Sequence, residues 1–192
     1  MRYASYREGR ALGVSWFVEA DAFGFKVHIK EKPCTRRGIL SVVSSVYDPL
    51  RMAAPFVLPT KLLLQDLRRK GLGWDDIPSL DLSRWQAWLA DLPKLSQLSV
   101  NRCVKGAHLR KVVTTEIHHF CDASQCACGA VSYLRQVDSD GQAHCSFLVA
   151  KSRLAPLKQM SIPRLELAAA TVSVCLNKLL KNELEIPTDK MD

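Results

Sequence analysis

The sequence predicts an α+β fold, in which a short hairpin and a helical segment precede an antiparallel sheet and one long helix. Three observations support this prediction. Apolar residues recur at three- and four-residue steps before about residue 105, which is the helical period. Alternating runs typical of strands follow from residue 111, and an Ala- and Leu-rich run comes near the end. We therefore divide the chain into residues 1–33, 34–105 and 111–192.

The first segment is expected to be a β-hairpin. Residues 11–17 and 23–29 read as strands, and the turn-forming residues 19–22 lie between them. Pro33 closes this unit.

Three helices are predicted in the middle segment. The first covers residues 36–46, the second runs from about 55 to 70, and the third from about 79 to 92. Thr35 is suited to cap the first helix, and Gly71 is suited to end the second. The apolar faces are predicted to be Ile39, Val42, Val43 and Val46 in the first helix and Leu82, Trp85, Trp88 and Leu89 in the third.

The last segment alternates strand and turn signals before its helix. The strands are expected at residues 112–120, 127–137 and 143–149. Asp138-Ser139-Asp140-Gly141 is a predicted hairpin turn. Ser161 and Pro163 fit the start of a helix that runs to about residue 183. Its core face is predicted to be Leu165, Ala169, Val172, Leu176 and Leu179.

Length and composition are those of a globular protein made inside the cell. The 192 residues are 47% hydrophobic and can bury a core without disulfides, and seven cysteines do not suit a disulfide framework. The longest uncharged stretch, residues 123–134, is too short and too polar to span a bilayer. Residues 1–10 lack the apolar core of a signal peptide. We expect a cytoplasmic or nuclear protein with no membrane partner.

The net charge of +8 favours an anionic partner, and nucleic acid above all. The charge is dispersed, and the basic positions that we assign to nucleic-acid binding are Arg36, Arg37, Arg68, Arg69 and Lys70. Nothing there resembles a base-reading helix, so we expect binding to be weak, independent of sequence and sensitive to salt.

Asp122 and Glu166 are the most informative pair of polar residues. Asp122 ends a predicted strand, and Glu166 lies in the first turn of the predicted final helix. Carboxylates from a strand and an adjacent helix are suitable ligands for Mg²⁺, and paired ions can activate water against a phosphodiester. A structural role stays open, because Glu is favourable near a helix N-terminus and Asp is common after a strand.

Three strings resemble the Pol polyprotein of BEL/Pao-type LTR retrotransposons. They are RGILSVVSSVYDPL at residues 37–50, FCDAS at 120–124 and PRLELAAA at 163–170. The last two are similar to the first-strand and first-helix motifs of a retroelement ribonuclease H domain. The strings keep the family's order and extend over nearly the whole chain, a region also labelled Pao retrotransposon peptidase.

The resemblance implies a role for each segment. Residues 1–33 would be the end of a reverse-transcriptase palm-like hairpin, residues 34–105 thumb and connection, and residues 111–192 the start of ribonuclease H. The parent activity would be Mg²⁺-dependent hydrolysis of RNA in RNA–DNA hybrids, with Asp122 bridging two metals and Glu166 holding one. The hybrid and the remainder of the Pol polyprotein are the implied partners.

The sequence departs from the family's pattern at several positions. Arg51 stands where Gly is usual, and Cys128 where an aromatic residue is usual. The Trp-Thr-Asp-Ser string that carries the third of four ribonuclease H carboxylates is missing, as is the polymerase motif Tyr-x-Asp-Asp. Asp189 and Asp192 follow the helix, and we expect no strand there. We therefore expect an incomplete, inactive site and an open edge on the Asp122 strand.

The sequence does not support an aspartic protease site. An aspartic protease of retroelement type needs Asp-Thr-Gly or Asp-Ser-Gly, which neither Asp-Ala-Ser at residues 122–124 nor Asp-Ser-Asp-Gly at 138–141 provides.

The alternative to a ribonuclease H fragment is a non-catalytic remnant of a decayed or host-recruited element, which binds nucleic acid or another protein.

Cysteines and histidines near Asp122 receive structural interpretations. The spacing lacks a CxxC knuckle, which favours buried structural thiols over a zinc site at Cys121, Cys126, Cys128 and Cys145. His118 and His119 are adjacent on a predicted strand, so one is expected to face the core and the other solvent.

Overall fold

The structure is a computed structural model that describes residues 8–11, 14–27, 32–106, 108–185 and 190–191. The chain divides into two compact units, Met1–Pro49 with Ala53–Val100 and Leu50–Met52 with Asn101–Asp192. Helices and sheets are both present, which confirms the predicted α+β class. Within the described residues, no helix is long and apolar enough to cross a membrane.

A small four-stranded sheet contains, in hydrogen-bonded order, β1 (Glu8–Ala11), β2 (Val14–Phe17), β3 (Ala22–Gly24) and β4 (Ser99–Asn101). The predicted pairing of the two hairpin strands is confirmed between β2 and β3. The prediction of one strand over residues 11–17 is wrong, because Ala11 pairs with Val14 and the chain reverses between them. Alternation of side chains does not reveal so short a reversal. The second strand stops at Gly24, and residues 28–31 lie outside the described part of the chain.

Three helices follow, α1 (Arg36–Ser45), α2 (Ala54–Arg69) and α3 (Ser79–Asp91). Thr35 caps α1 as predicted, because the Gly38 amide donates a hydrogen bond to its Oγ1 at 3.1 Å. Gly71 follows α2 with a φ of +70°, the left-handed conformation that glycine adopts readily. Pro59 lies inside α2 without ending it. A 3₁₀ helix that the sequence patterns did not predict covers Leu92–Gln97.

The second unit is built on a larger sheet, formed by β5 (Val112–Ala123), β6 (Ala127–Asp138), β7 (Ala143–Leu154) and β8 (Lys190–Met191), with α4 (Ile162–Glu183) between β7 and β8. β5, β6 and β7 form an antiparallel meander, as predicted. β8 pairs with β5 in the parallel direction, so the strand order is β7-β6-β5-β8.

The turn between β6 and β7 is held by the Asp138 carboxylate. This buried group accepts hydrogen bonds from the amides of Arg110, Asp140 and Gln142. Burial by itself raises the pKa of Asp138, but these three bonds and the Arg110 charge outweigh it, so the pKa lies below its ordinary value. Gly141 completes the predicted turn with a φ of +79°.

One face of α4 packs on the sheet. Leu180 packs with Ile117 of β5 and Leu134 of β6, and nearer the start of the helix Leu176 packs with Ala130 of β6. The direction of α4 therefore runs from the Ala130 level of the sheet toward the Ile117 level.

The buried residues of α4 are Leu165, Ala169, Val172, Leu176 and Leu180. The prediction that Leu179 belongs to this face is wrong, because its side chain is 49% exposed. A step of four residues from Leu176 continues the buried stripe, whereas a step of three turns away from it.

Candidate metal site and nucleic-acid interface

Asp122 is the next-to-last residue of β5, and its side chain is exposed. Its Oδ1 accepts a hydrogen bond from the Ala123 amide at 2.8 Å, while Oδ2 has no partner among the described residues. The backbone around it is fixed by a tight connection to β6, in which the Ser124 amide donates to the Ala127 carbonyl at 2.8 Å. Asp122 thus presents a free carboxylate oxygen from a rigid strand end.

Glu166 is also exposed, and it lies one residue later in its helix than expected. Because α4 begins at Ile162, Glu166 follows the first turn instead of belonging to it. The neighbouring Leu165 is buried against the sheet, which fixes the backbone at Glu166. No ion pair to Glu166 occurs in the described part of the chain.

The packing of α4 places Glu166 beyond the Asp122 end of the sheet, about 12 Å past the level of Asp122 along the helix axis. Leu176 lies at the level of Ala130, whose cross-strand partner is Cys121, the residue before Asp122. Glu166 lies ten residues before Leu176, about 15 Å along the helix axis and away from the Ile117 level.

Asp122 lies on the face of β5 opposite α4, the helix that carries Glu166. Cys121 pairs with Ala130, which contacts α4, whereas Asp122 pairs with Gly129 on the other face because alternate residues of a strand face opposite ways. The structure therefore does not bring the two carboxylates together on one face of the sheet.

The donor set is too small for two Mg²⁺ ions. Two exposed carboxylates supply oxygen ligands of the kind that Mg²⁺ prefers. Within the described ranges, no three His, Cys, Asp or Glu residues lie close enough to hold a metal ion together. A two-ion site needs more ligands than Asp122 and Glu166 supply.

A short strand borders β5, which corrects the expectation that none follows the helix. β8 pairs Lys190 with Glu116 and Met191 with Ile117. The expected open edge of β5 is thus covered at these two positions, five or more residues before Asp122. The side chains of Asp189 and Asp192 lie outside the described residues.

A family model of the Pao retrotransposon-like RNaseH-like domain matches residues 35–192 of the chain. The chain belongs to this family. The match confirms the resemblance inferred from FCDAS and PRLELAAA, and it covers the helical segment as well as the larger sheet. A search of curated proteins found no match.

In this Pao-type chain, most of the basic residues assigned to nucleic-acid binding already have protein partners. Arg36 stacks on Trp74, with its Cζ 4.3 Å from the ring centroid, and donates a hydrogen bond to the Leu72 carbonyl. Arg37 forms a long ion pair with Asp75, with 3.7 Å between Nε and Oδ1.

The basic end of α2 is tied into an ion network with α3. Arg69 pairs with Asp66 at 3.2 Å, and Lys70 pairs with Asp81, a carboxylate that is only 1% exposed. Arg84 of α3 approaches both carboxylates, at 3.6 and 3.5 Å. Of the five predicted positions, Arg68 alone has no side-chain partner in the part of the chain that the structure describes.

The two histidines lie on opposite faces of β5 as predicted, whereas the prediction of buried thiols is confirmed at Cys128 and wrong at Cys121, Cys126 and Cys145. His119 faces α4 with its Nδ1 2.8 Å from the buried Ser132 Oγ, whereas His118 lies on the other face with its Nε2 3.1 Å from Glu116. Burial and the charges of neighbouring cations lower the pKa of His119. Cys128 is buried, whereas Cys121, Cys126 and Cys145 are exposed.

A group of basic residues at the Asp122 end of the sheet was not among the predicted nucleic-acid-binding positions. They are Lys151 and Arg153 at the end of β7, Lys158 in the following loop and Arg164 at the start of α4. All four are exposed, and none forms an ion pair within the described ranges. The sequence contained a signal for this basic group, because residues 151–166 include these four basic residues and a single acidic residue, Glu166.

Proposed function

We propose that this chain is part of a retrotransposon Pol polyprotein whose parent activity is Mg²⁺-dependent hydrolysis of the RNA strand in RNA–DNA hybrids. The observation that supports it is the match to the RNaseH-like domain family, in which Asp122 lies in the last residues of β5 and Glu166 near the start of α4. In this proposal residues 1–33 end a reverse-transcriptase palm, residues 34–105 are thumb and connection, and residues 111–192 begin ribonuclease H.

Asp122 and Glu166 are the residues that would hold Mg²⁺, which would stabilise negative charge on the scissile phosphate and activate water. The free Oδ2 of Asp122 and the unpaired carboxylate of Glu166 are the available ligand groups. Because two carboxylates neither neutralise nor position two divalent ions, the chain by itself is not expected to cleave RNA.

The proposed partner is an RNA–DNA hybrid or another nucleic acid, held weakly and without sequence preference. The net charge of +8 supports an anionic partner. The carboxylate partners of Arg37, Arg69 and Lys70 reduce the local positive potential. The proposal therefore expects phosphate contacts and not base contacts.

Fluorescence anisotropy with a labelled RNA–DNA hybrid tests the binding, and gel analysis of the same hybrid with Mg²⁺ or Mn²⁺ tests cleavage. We expect an affinity that falls steeply as salt rises from about 50 to 200 mM, since each phosphate contact releases counterions. We also expect no cleavage.

Absence of hybrid binding at low salt would contradict the proposal and favour a protein-interaction remnant. Hybrid-specific cleavage that Asp122→Asn abolishes would show that the site is complete and that the proposed inactivity is wrong. A control with Asp75→Asn removes an exposed acid from the other unit and is expected to leave any cleavage unchanged.

A further inference from the structure

We infer that the nucleic-acid backbone is held by a basic strip at the end of the sheet where β5 ends, formed by Lys151, Arg153, Lys158 and Arg164. This inference rests on the proposed function, because it names the part of the surface that binds the hybrid. It places the main phosphate contacts in the second unit and not on the predicted positions of the first.

The register of the sheet brings Lys151 and Arg153 to the Asp122 end. Lys151 pairs with Ala130, and Arg153 pairs with Cys128, the partner of Ala123. Arg153 and Ala123 therefore share one cross-strand row, separated by two strand spacings or about 10 Å. Both basic residues are on the α4 side of the sheet, because Ala130 contacts α4.

The chain itself keeps the other two members close. Only residues 155–161 connect the end of β7 to the start of α4, so Lys158 and Arg164 lie near the same end of the sheet. The Ala155 amide donates to the Cys126 carbonyl at 2.8 Å, which fixes the beginning of this connection against the start of β6.

The charge of this surface is available to a ligand. The strip has four cations, and Glu166 is the one acid in residues 151–166. Long-chain cations spaced along a strand end and a helix start suit a phosphate backbone, which presents repeated single charges and requires no fixed pattern of donors. Phosphates held by Lys151 and Arg153 would lie on the α4 side of the sheet.

The decisive experiment compares two double variants of the full chain by anisotropy, with a labelled RNA–DNA hybrid and EDTA to prevent cleavage. Lys151→Ala with Arg153→Ala removes two strip residues. Arg110→Ala with Lys178→Ala removes the same two charges from the same unit at other places: Arg110 pairs with Asp140 at the β6–β7 turn, and Lys178 lies late in α4. All four side chains are exposed, and melting curves check that both variants fold.

We expect the strip variant to bind about tenfold more weakly at low salt and to lose about two units of salt dependence, whereas the control variant changes affinity much less. Equal losses in the two variants would overturn the inference, because net charge would then account for binding. Unchanged affinity of the strip variant would also overturn it while leaving the proposed function intact. A wild-type chain that does not bind the hybrid would refute both.

Discussion

Arg51 has a backbone conformation that suits glycine better than arginine. Its φ is +63°, in the left-handed region where the Cβ of an L-residue approaches the following carbonyl. The resemblance to BEL/Pao Pol places Gly at this position, and the structure supplies a physical reason for that preference. The neighbouring Leu50 carbonyl accepts a hydrogen bond from the Ala150 amide at 3.0 Å, so this turn also borders β7.

Replacing Arg51 with Gly is therefore expected to stabilise the chain. The expected gain in the free energy of unfolding is about 0.5–1 kcal/mol. It equals the backbone strain that is relieved minus the conformational entropy that glycine loses on folding. Urea unfolding measures it, with Arg51→Ala as the control that keeps a Cβ and the strain. Equal stability of the Gly and Ala variants would contradict this explanation.

The Asp138 carboxylate is expected to make stability depend on pH. Its pKa is lowered in the folded state, so its contribution is present above the ordinary value of 3.8 and is lost as pH falls through the lower folded value. Asp138→Asn should lower the melting temperature at neutral pH, and the difference from wild type should shrink below about pH 4.

Asp140, an exposed acid in the same turn, gives the matched control. Asp140→Asn is expected to have a much smaller effect, because its side chain pairs with Arg110 at the surface. A wild-type advantage over Asp138→Asn that stays constant down to acid pH would contradict the role given to the carboxylate.

Single residues with a local physical signal were predictable from the sequence. Thr35 at a helix start and Gly71 at a helix end were both predicted from capping chemistry, and both predictions are confirmed. The exposure of Cys121 was not predictable, because it depends on what covers the strand end. The ion pair of Lys70 was not predicted, because its partner Asp81 lies on another helix. Arg69 pairs with Asp66 of its own helix, and this pair was not predicted either.

At the scale of elements, the packing of α4 on the larger sheet is the contact that brings Glu166 to the Asp122 end. Leu176→Ala is expected to lower the free energy of unfolding by about 3 kcal/mol, because it removes buried methyl groups next to Ala130 and leaves a cavity. Leu167→Ala makes the same chemical change at a 69% exposed position of the same helix and should cost under about 0.5 kcal/mol. Similar losses from both variants, measured by denaturant unfolding, would contradict this packing.

Elements with strong periodicity were predicted well, and short ones were not. β5, β6 and α4 were predicted to within three residues at each end, because long alternating or helical runs bury one face, whereas β7 extends five residues beyond its predicted end at residue 149. β8 has two residues and is defined only by its pairing with β5, so no pattern in its own sequence indicates it. The antiparallel pairing of Ala11 with Val14 was not predicted, because the sequence around these two residues reads as one continuous strand.

For the whole molecule, the central claim is that Asp122 and Glu166 act together on one divalent ion. Their residue types and order were predictable from sequence motifs, whereas their common position at one end of the sheet follows from how α4 crosses β5 and β6. Positive charge concentrates at the same end, through Lys151, Arg153 and Arg164.

Isothermal titration calorimetry with Mn²⁺ or Mg²⁺ on the wild-type chain, Asp122→Asn, Glu166→Gln and the double variant tests this claim most directly. If both carboxylates hold one ion, each single substitution removes nearly all the binding that the double substitution removes, so the effects are strongly non-additive. Asp140→Asn serves as a control and is expected to leave binding unchanged. Additive losses from the two single variants, or metal binding that survives in the double variant, would contradict the account.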